Sequence, residues 1–184
     1  MKRVLLAMAV AMIGLGAGVA AAATQTGQGL DETLGFIRDK VAQQGQIYYA
    51  SINHNSAGGA DWSTQFSAEA SNVTADAPAC DLSFHWHTTV DGKAGYDVEG
   101  GIPFAKVDHV VITSMEADIA RINAEAGHPT WTAKVTPPVW VLTAYRADGR
   151  SNSLDFRDRD LAERVARAVR HAAQLCGGTK PEAF

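Results

Sequence analysis

The chain has 184 residues, 46% hydrophobic and 20% charged, and a formal net charge of −4 from 16 Lys and Arg against 20 Asp and Glu. An acidic balance without a basic block argues against nucleic-acid binding, because phosphate contacts need clustered cations. Apolar content and periodicity exclude a disordered chain, and after the first 23 residues no segment is long and apolar enough to span a bilayer.

Met1-Lys2-Arg3 is a short positive opening, followed by an apolar run from Val4 to about Val19 and small residues at Ala20–Ala23. This three-part layout predicts a bacterial secretory signal peptide, residues 1–23, cleaved after Ala23. Cleavage removes Lys2 and Arg3, leaving a mature chain two units more negative. The expected destination is the periplasm or the medium, without stable membrane insertion afterwards. No Cys near the cleavage site supports a lipid anchor. Residues 24–29 read as a polar tether, 30–178 as one domain and 179–184 as a tail.

Leu30, Leu34, Ile37 and Val41 form a helical stripe that stops at Gly45. Ile47–Asn53 reads as an aromatic-rich strand ending in the loop His54–Gly59. From Trp62 to Ser71, and again from Cys80 to Asp91, apolar and polar residues alternate. That period predicts an antiparallel sheet, packed on one face and wet on the other. Asp91-Gly92-Lys93 and Asp148-Gly149-Arg150 read as hairpin turns. A three-residue loop with Gly in the left-handed region sets Trp86 against Val98 and Thr88 against Tyr96, keeping the apolar face continuous. The second hairpin groups Trp140, Leu142 and Ala144 with Leu154 and Phe156. Between the hairpins, Phe104–Thr113 reads as a strand. Ser114 caps a helix carrying Met115, Ile119 and Ile122, and Trp131, Ala133 and Val135 form a strand broken at Pro137-Pro138. The final helix has Asp160 as its expected N-cap with Glu163 three residues on, and Leu161, Val165, Val169, Ala172 and Cys176 as its buried stripe. Asp160–Arg164 and Glu163–Arg167 are its expected ion pairs, and Gly177-Gly178 ends it.

Cys80 and Cys176 are the two cysteines, and an oxidising compartment allows them one intramolecular pairing. They lack the spacing of a redox-active C-x-x-C pair, so a structural disulfide is expected.

Antiparallel hairpins of about seven strands closed by an amphipathic C-terminal helix define an α+β domain, a β-barrel or sandwich with an additional N-terminal helix. That arrangement resembles the pleckstrin-homology-like barrel. Leu154-Asp155-Phe156-Arg157-Asp158 followed by Ala162–Ala173 is similar to that fold's last strand and capping helix. The ending His171–Gly178 is similar to those of uncharacterised exported bacterial proteins. Fold analogy does not carry function. Phosphoinositide-binding members of that family use Lys and Arg in the loop after the first strand. Here His54–Asp61 holds neither, so phosphoinositide binding is not expected.

The sharpest chemical constellation is on the expected polar face. His85 and His87 are two apart on a strand and project the same way, with Asp97 opposite His87, Glu99 opposite His85 and Glu69 near the same pair. Two imidazoles and carboxylates suit a divalent metal, whereas a solvated face of His–carboxylate pairs explains the same residues without one. Arg159, Arg164, Arg167 and Arg170 with His171 read either as an anion patch or as ordinary helix pairing. Trp62, Trp86, Trp131 and Trp140 read as core residues or as a ligand lining. There is no G-x-S-x-G, no reactive-Cys signature and no phosphate loop, so no catalytic residue is assigned. Three functional classes follow. The first is a non-enzymatic binding module of the cell envelope with a protein partner. The second is a metal-binding protein using His85, His87 and the nearby carboxylates. The third is an α+β cone holding an apolar ligand among the Trp residues.

Overall fold

The structure, a computed structural model, describes residues 18–178. The expected signal peptide falls outside it for residues 1–17, as does the tail 179–184. In chain order the elements are α1 (Gly18–Gln44), β1 (Ile47–Asn55), β2 (Trp62–Asp76), β3 (Asp81–Val90), β4 (Lys93–Pro103), a 3-10 turn at Phe104–Lys106, β5 (Val107–Ser114), α2 (Met115–Glu125), β6 (Trp131–Thr136), β7 (Trp140–Arg146), β8 (Ser151–Phe156) and α3 (Arg159–Leu175). The stretch read as a tether, residues 24–29, falls within α1; it contains no proline to break a helix. Among the described residues no helix is long and apolar enough to cross a membrane.

The protein is α+β, with two antiparallel sheets: β4-β3-β2-β1-β6 and β5-β7-β8. The expected barrel does not close. The chain leaves the larger sheet at Pro103, turns through Phe104–Lys106 and begins the smaller one. A continuous path from β6 to β7 is blocked by Pro137 and Pro138, neither of which has an N–H for a ladder. Each sheet therefore keeps two edges, and the two lie face to face as in a sandwich. The strand expected from Phe104 starts only at Val107, and β2 runs past the expected Ser71 to Asp76 through an irregularity between Ser71 and Thr74.

The first hairpin reaches the expected register by a different route. Val90 pairs directly with Lys93, leaving only Asp91 and Gly92 in the turn, at φ +51° and +74°. Positive φ at both positions makes a turn whose twist matches the strands. Gly95 and Tyr96 then share the place opposite Thr88, a bulge that restores Trp86 to Val98, His87 to Asp97 and His85 to Glu99. Thr88 Oγ1 accepts from Tyr96 N at 2.7 Å. A Cβ on residue 95 would lie 2.6 Å from that oxygen, so the bulge needs glycine. The second hairpin pairs Trp140 with Phe156 and Leu142 with Leu154, with Gly149 at φ +82°.

Ser114 caps α2 as expected, its Oγ accepting from Ala117 N at 3.2 Å. The cap of α3 is Asp158 rather than Asp160: Asp158 is extended, and its carboxylate accepts from Leu161 N at 2.7 Å. Starting the helix at residue 159 also moves the ion pairing, so that Glu163 bonds Arg159 at 2.9 Å instead of Arg167. At the other end Gly177 sits at φ +76°, with Gly178 N bonded to Ala173 O and Gly177 N to Gln174 O. These two bonds satisfy carbonyls that the helix end leaves free.

The main core joins three layers. Leu30, Leu34, Ile37 and Val41 of α1 meet Leu82 and Phe84 of β3, while Val165, Ala166 and Val169 of α3 meet Leu142, Leu154 and Phe156. A smaller cluster of Ile47, Met115, Val135, Val139 and Val141 lies where α2 comes down between the sheets. Glu116 anchors α2 by accepting from Val135 N at 2.9 Å. Cys80, just before β3, is bridged to Cys176 at the end of α3, with Cα atoms 5.9 Å apart and a sequence separation of 96.

Closing a loop of that length restricts the unfolded chain by about 4–5 kcal/mol in the chain-entropy account. Reduced protein, or the C80A/C176A variant, is therefore expected to lose about 2–5 kcal/mol of stability. Urea unfolding with and without reductant measures it, and unchanged midpoints would show that the bridge constrains nothing.

Candidate functional site

Strand alternation separates two sets of side chains on β3. Leu82, Phe84 and Trp86 face inward, and His85 and His87 face water. The outward set is assembled as the sequence predicts, with Asp97 opposite His87, Glu99 opposite His85 and Glu69 opposite His87 on the other side. The contacts are more selective than the register. His85 holds both ring nitrogens against carboxylates, Nδ1 at 3.1 Å from Glu99 and Nε2 on Asp97. His87 Nδ1 stands 3.8 Å from Asp97, and no described contact joins Glu69 to either imidazole.

An imidazole with a carboxylate at each nitrogen is stabilised as the cation, and a doubly protonated ring has no lone pair for a metal. The hydrogen bonds that His85 donates to Glu99 and then to Asp97 raise the His85 pKa, and the bond accepted from His85 lowers that of Asp97. Among the described residues no group of three or more His, Cys, Asp or Glu is placed to hold a metal. The arrangement works as an exposed ion-pair cluster fastening β3 to the edge strand β4.

On the inward side lies a second arrangement that the sequence reading did not single out. A cleft of about 550 Å³ opens between the β3–β4 end of the larger sheet, α2 and the edge strand β8. Phe66, Phe84, Trp86, Val98, Met115 and Val141 form much of its wall. Gly100 opposes Phe84, where a Cβ would lie 2.5 Å from the ring, so the missing side chain is what lets Phe84 lie flat along the wall. Tyr96 is 74% exposed, Val98 49% and Ile122 49%, all at this cleft.

The polar groups lining the cleft include Tyr49 on β1, Asp118 on α2, and Asp155 on β8 with Ser151 and Ser153 at alternate positions. Leu154 and Phe156 fill the main core, so alternation sends Asp155 the opposite way, into the gap between the sheets. Burial, with the nearby Asp118 charge adding to it, pushes the Asp155 carboxyl up to about 7. Burial and the same two carboxylates push the Tyr49 hydroxyl up, so it remains a donor. Asp118 already has a counter-ion in Arg121, at 2.8 Å, and Arg121 also holds Glu125. Among the described contacts no side chain bonds to Asp155.

The remaining candidates separate. Of the four tryptophans only Trp86 lines the cleft; Trp62 and Trp131 meet edge to face, and Trp140 lies under the Arg159 guanidinium at 4.9 Å. His54 pairs with Asp61, His109 with Asp108, and His128 stacks on Trp131. Arg159, Arg167 and Arg170 share a groove on α3, where Glu163 neutralises the first and Val110 O accepts from the last. His171 is exposed on α3 and makes no described contact with Asp155.

Comparison with protein-family models, with curated proteins and with solved structures returned no match. What the protein does therefore has to be argued from the two faces of β3.

Two titrations follow. His85 is expected to titrate above the ordinary imidazole value, and D97N/E99Q to bring it back down; an NMR pH titration decides. The folded-state pKa is the higher one, so this pairing stabilises the fold at pH below the unfolded imidazole value and fades as pH rises through the folded value. For Asp155 the folded pKa is again the higher, but the group is an acid. The folded state then binds more protons than the unfolded one between about pH 4 and 7, and stability falls as pH rises across that window. D155N is expected to gain about 2 kcal/mol over the parent at pH 8 and little at pH 4. Equal denaturation midpoints at pH 8 would contradict the placement of this carboxyl.

Proposed function

We propose that the protein is a non-enzymatic binding module of the bacterial cell envelope whose cleft takes up a small, largely apolar molecule. The observation that carries this reading is the cleft itself: about 550 Å³, walled by aromatic and aliphatic side chains, with Tyr96, Val98 and Ile122 left exposed beside it. Its volume falls within the roughly 300–1,000 Å³ of small-molecule sites, and a few polar groups among apolar walls is the composition such sites share. Exposed apolar side chains gathered at one opening mark a place where something else is meant to cover them. This moves the reading from a protein partner to a small molecule, since a concave site fits a compact ligand better than a flat protein surface. The bridge between Cys80 and Cys176 supports an oxidising, extracytoplasmic setting. Metal binding receives no such support, since both nitrogens of His85 are occupied.

An uncharged, polarity-sensitive dye such as N-phenyl-1-naphthylamine tests the reading directly. Saturable one-site binding with a blue-shifted emission is expected, weakened at least tenfold in F66A and in V98E. Thermal unfolding of V98E should be unchanged within a few degrees, because Val98 is exposed. Absence of saturable binding, or binding indifferent to both substitutions, would overturn it.

A further inference from the structure

We infer that the ligand of this cleft carries a cationic amine on an apolar body, and that Asp155 receives the ammonium group. The inference rests on the cleft reading above and goes one step further, to the chemical class of the occupant.

Among the described residues that line the cleft, none is Lys, Arg or His, while carboxylates enter its lining from several elements. The groups facing Asp155 can be taken element by element. From β1 comes Tyr49, a hydroxyl held neutral. From α2 comes Asp118, whose charge is already matched by Arg121. The neighbour on β7 is Val141, which brings no charge. On β4, Glu99 is bonded to His85. On its own strand the companions are the Ser151 and Ser153 hydroxyls, and the following Arg157 is spent on Gln46 O. From α1, Gln44 shares a small pocket with Asp155 and offers a neutral amide, so among the described residues Asp155 is the cleft carboxylate without a charged partner.

An unpartnered carboxylate in apolar surroundings weakens the fold. Such local losses are found where they serve a site. The fold does not need Asp155 for its strand: Val141 sits opposite and Leu154 and Phe156 do the packing. An ammonium group entering the cleft supplies the missing counter-charge, and its N–H groups donate to the carboxylate. Phe66, Phe84 and Trp86 accept the apolar body, and their ring faces attract a cation as well. A ligand carboxylate or phosphate would find hydroxyl donors but no cationic side chain among the described lining residues, and would be repelled by Asp118 and by ionised Asp155.

Without ligand near neutral pH, Asp155 is partly protonated. An amine that is already cationic must displace that proton to form the ion pair. Binding therefore releases up to one proton and tightens as pH rises, by about tenfold per unit below the carboxyl's pKa, levelling off above it.

The test uses a matched pair of probes, 4-phenylbutylamine and the uncharged 4-phenylbutanol, titrated calorimetrically into the full mature protein between pH 5 and 8.5. At pH 8 the amine is expected to bind at least tenfold more tightly than the alcohol, with the advantage shrinking toward pH 5. D155N should abolish the preference while leaving alcohol binding in place, with its thermal unfolding measured alongside to show that the variant is folded. D118N should reduce the preference less, because Arg121 already screens that charge. Equal affinities for amine and alcohol would overturn the cationic class and leave the cleft reading intact. Failure of both probes would overturn the two together. An amine preference that survives in D155N would remove Asp155 from the assignment.

Discussion

The inner face of the five-stranded sheet is more apolar surface than the rest of the chain can cover, and the architecture follows from that imbalance. At one end Leu34, Ile37 and Val41 of α1 close over Leu82 and Phe84, and α3 locks against α1 from the side of the smaller sheet. At the other end α2 places Met115 among Ile47, Val135 and Val141. Between these lids the face of β3 and β4 runs on through Trp86 and Val98 with no helix above it. Had β4 paired with β8, the gap would have become the seam of a barrel. The departure of the chain at Pro103 and the prolines after β6 keep the sheets separate, and the gap remains as a cleft.

Much of this was legible in the sequence where contacts are local or periodic. The stripe of α1, the cap of α2 and the outward grouping of His85, Asp97 and Glu99 all rest on alternation or 3.6-residue spacing, and all are found. The first hairpin is instructive because its register was reached through a different turn. The need to keep Trp86 and Val98 on one face dictates the pairing, and a two-residue turn plus a bulge at Gly95 satisfies it as well as a three-residue loop. The missed details are of one kind: Asp158 in place of Asp160, and Val107 in place of Phe104, are choices between adjacent residues with similar chemistry.

The cleft was missed for a deeper reason. Reading the strands as packed on one face and wet on the other holds for the outer face of the larger sheet, where His85 and His87 meet water. It fails at the centre of the smaller sheet, where β7 is buried on both faces. Trp140-Val141-Leu142-Thr143-Ala144 carried the signal: Val141 through Ala144 are buried without interruption, the pattern of a strand with no solvent face. On the strand paired to it, the alternate residues Ser151, Ser153 and Asp155 turn toward the cleft, the two serines exposed at its opening and Asp155 part-buried. Asp155, opposite Val141, and Ser153, sharing a hydrogen bond with the buried Thr143, line the cleft. Tyr49 and Asp118 come to the same place from distant parts of the chain, and no spacing rule joins them.

The two sides of the β3–β4 hairpin face carboxylates in opposite electrostatic conditions, Asp97 and Glu99 of β4 on the outer side and Asp155 of β8 across the cleft on the inner side. Asp97 and Glu99 stand in water with His85 as a built-in counter-ion, and the Asp97 pKa goes down. Asp155 stands among apolar walls with a like charge nearby and no cation, and its pKa goes up. A cluster whose charges balance internally has little left to offer a ligand, and its contribution is to hold the edge strand β4 in place. A cavity that holds, among the described residues, an acid without a cation is unbalanced until something enters it. Charge balance thus locates function more sharply than residue type does: the histidines carry the familiar metal-site chemistry, but the deficit lies with the aspartate on the other side of the sheet.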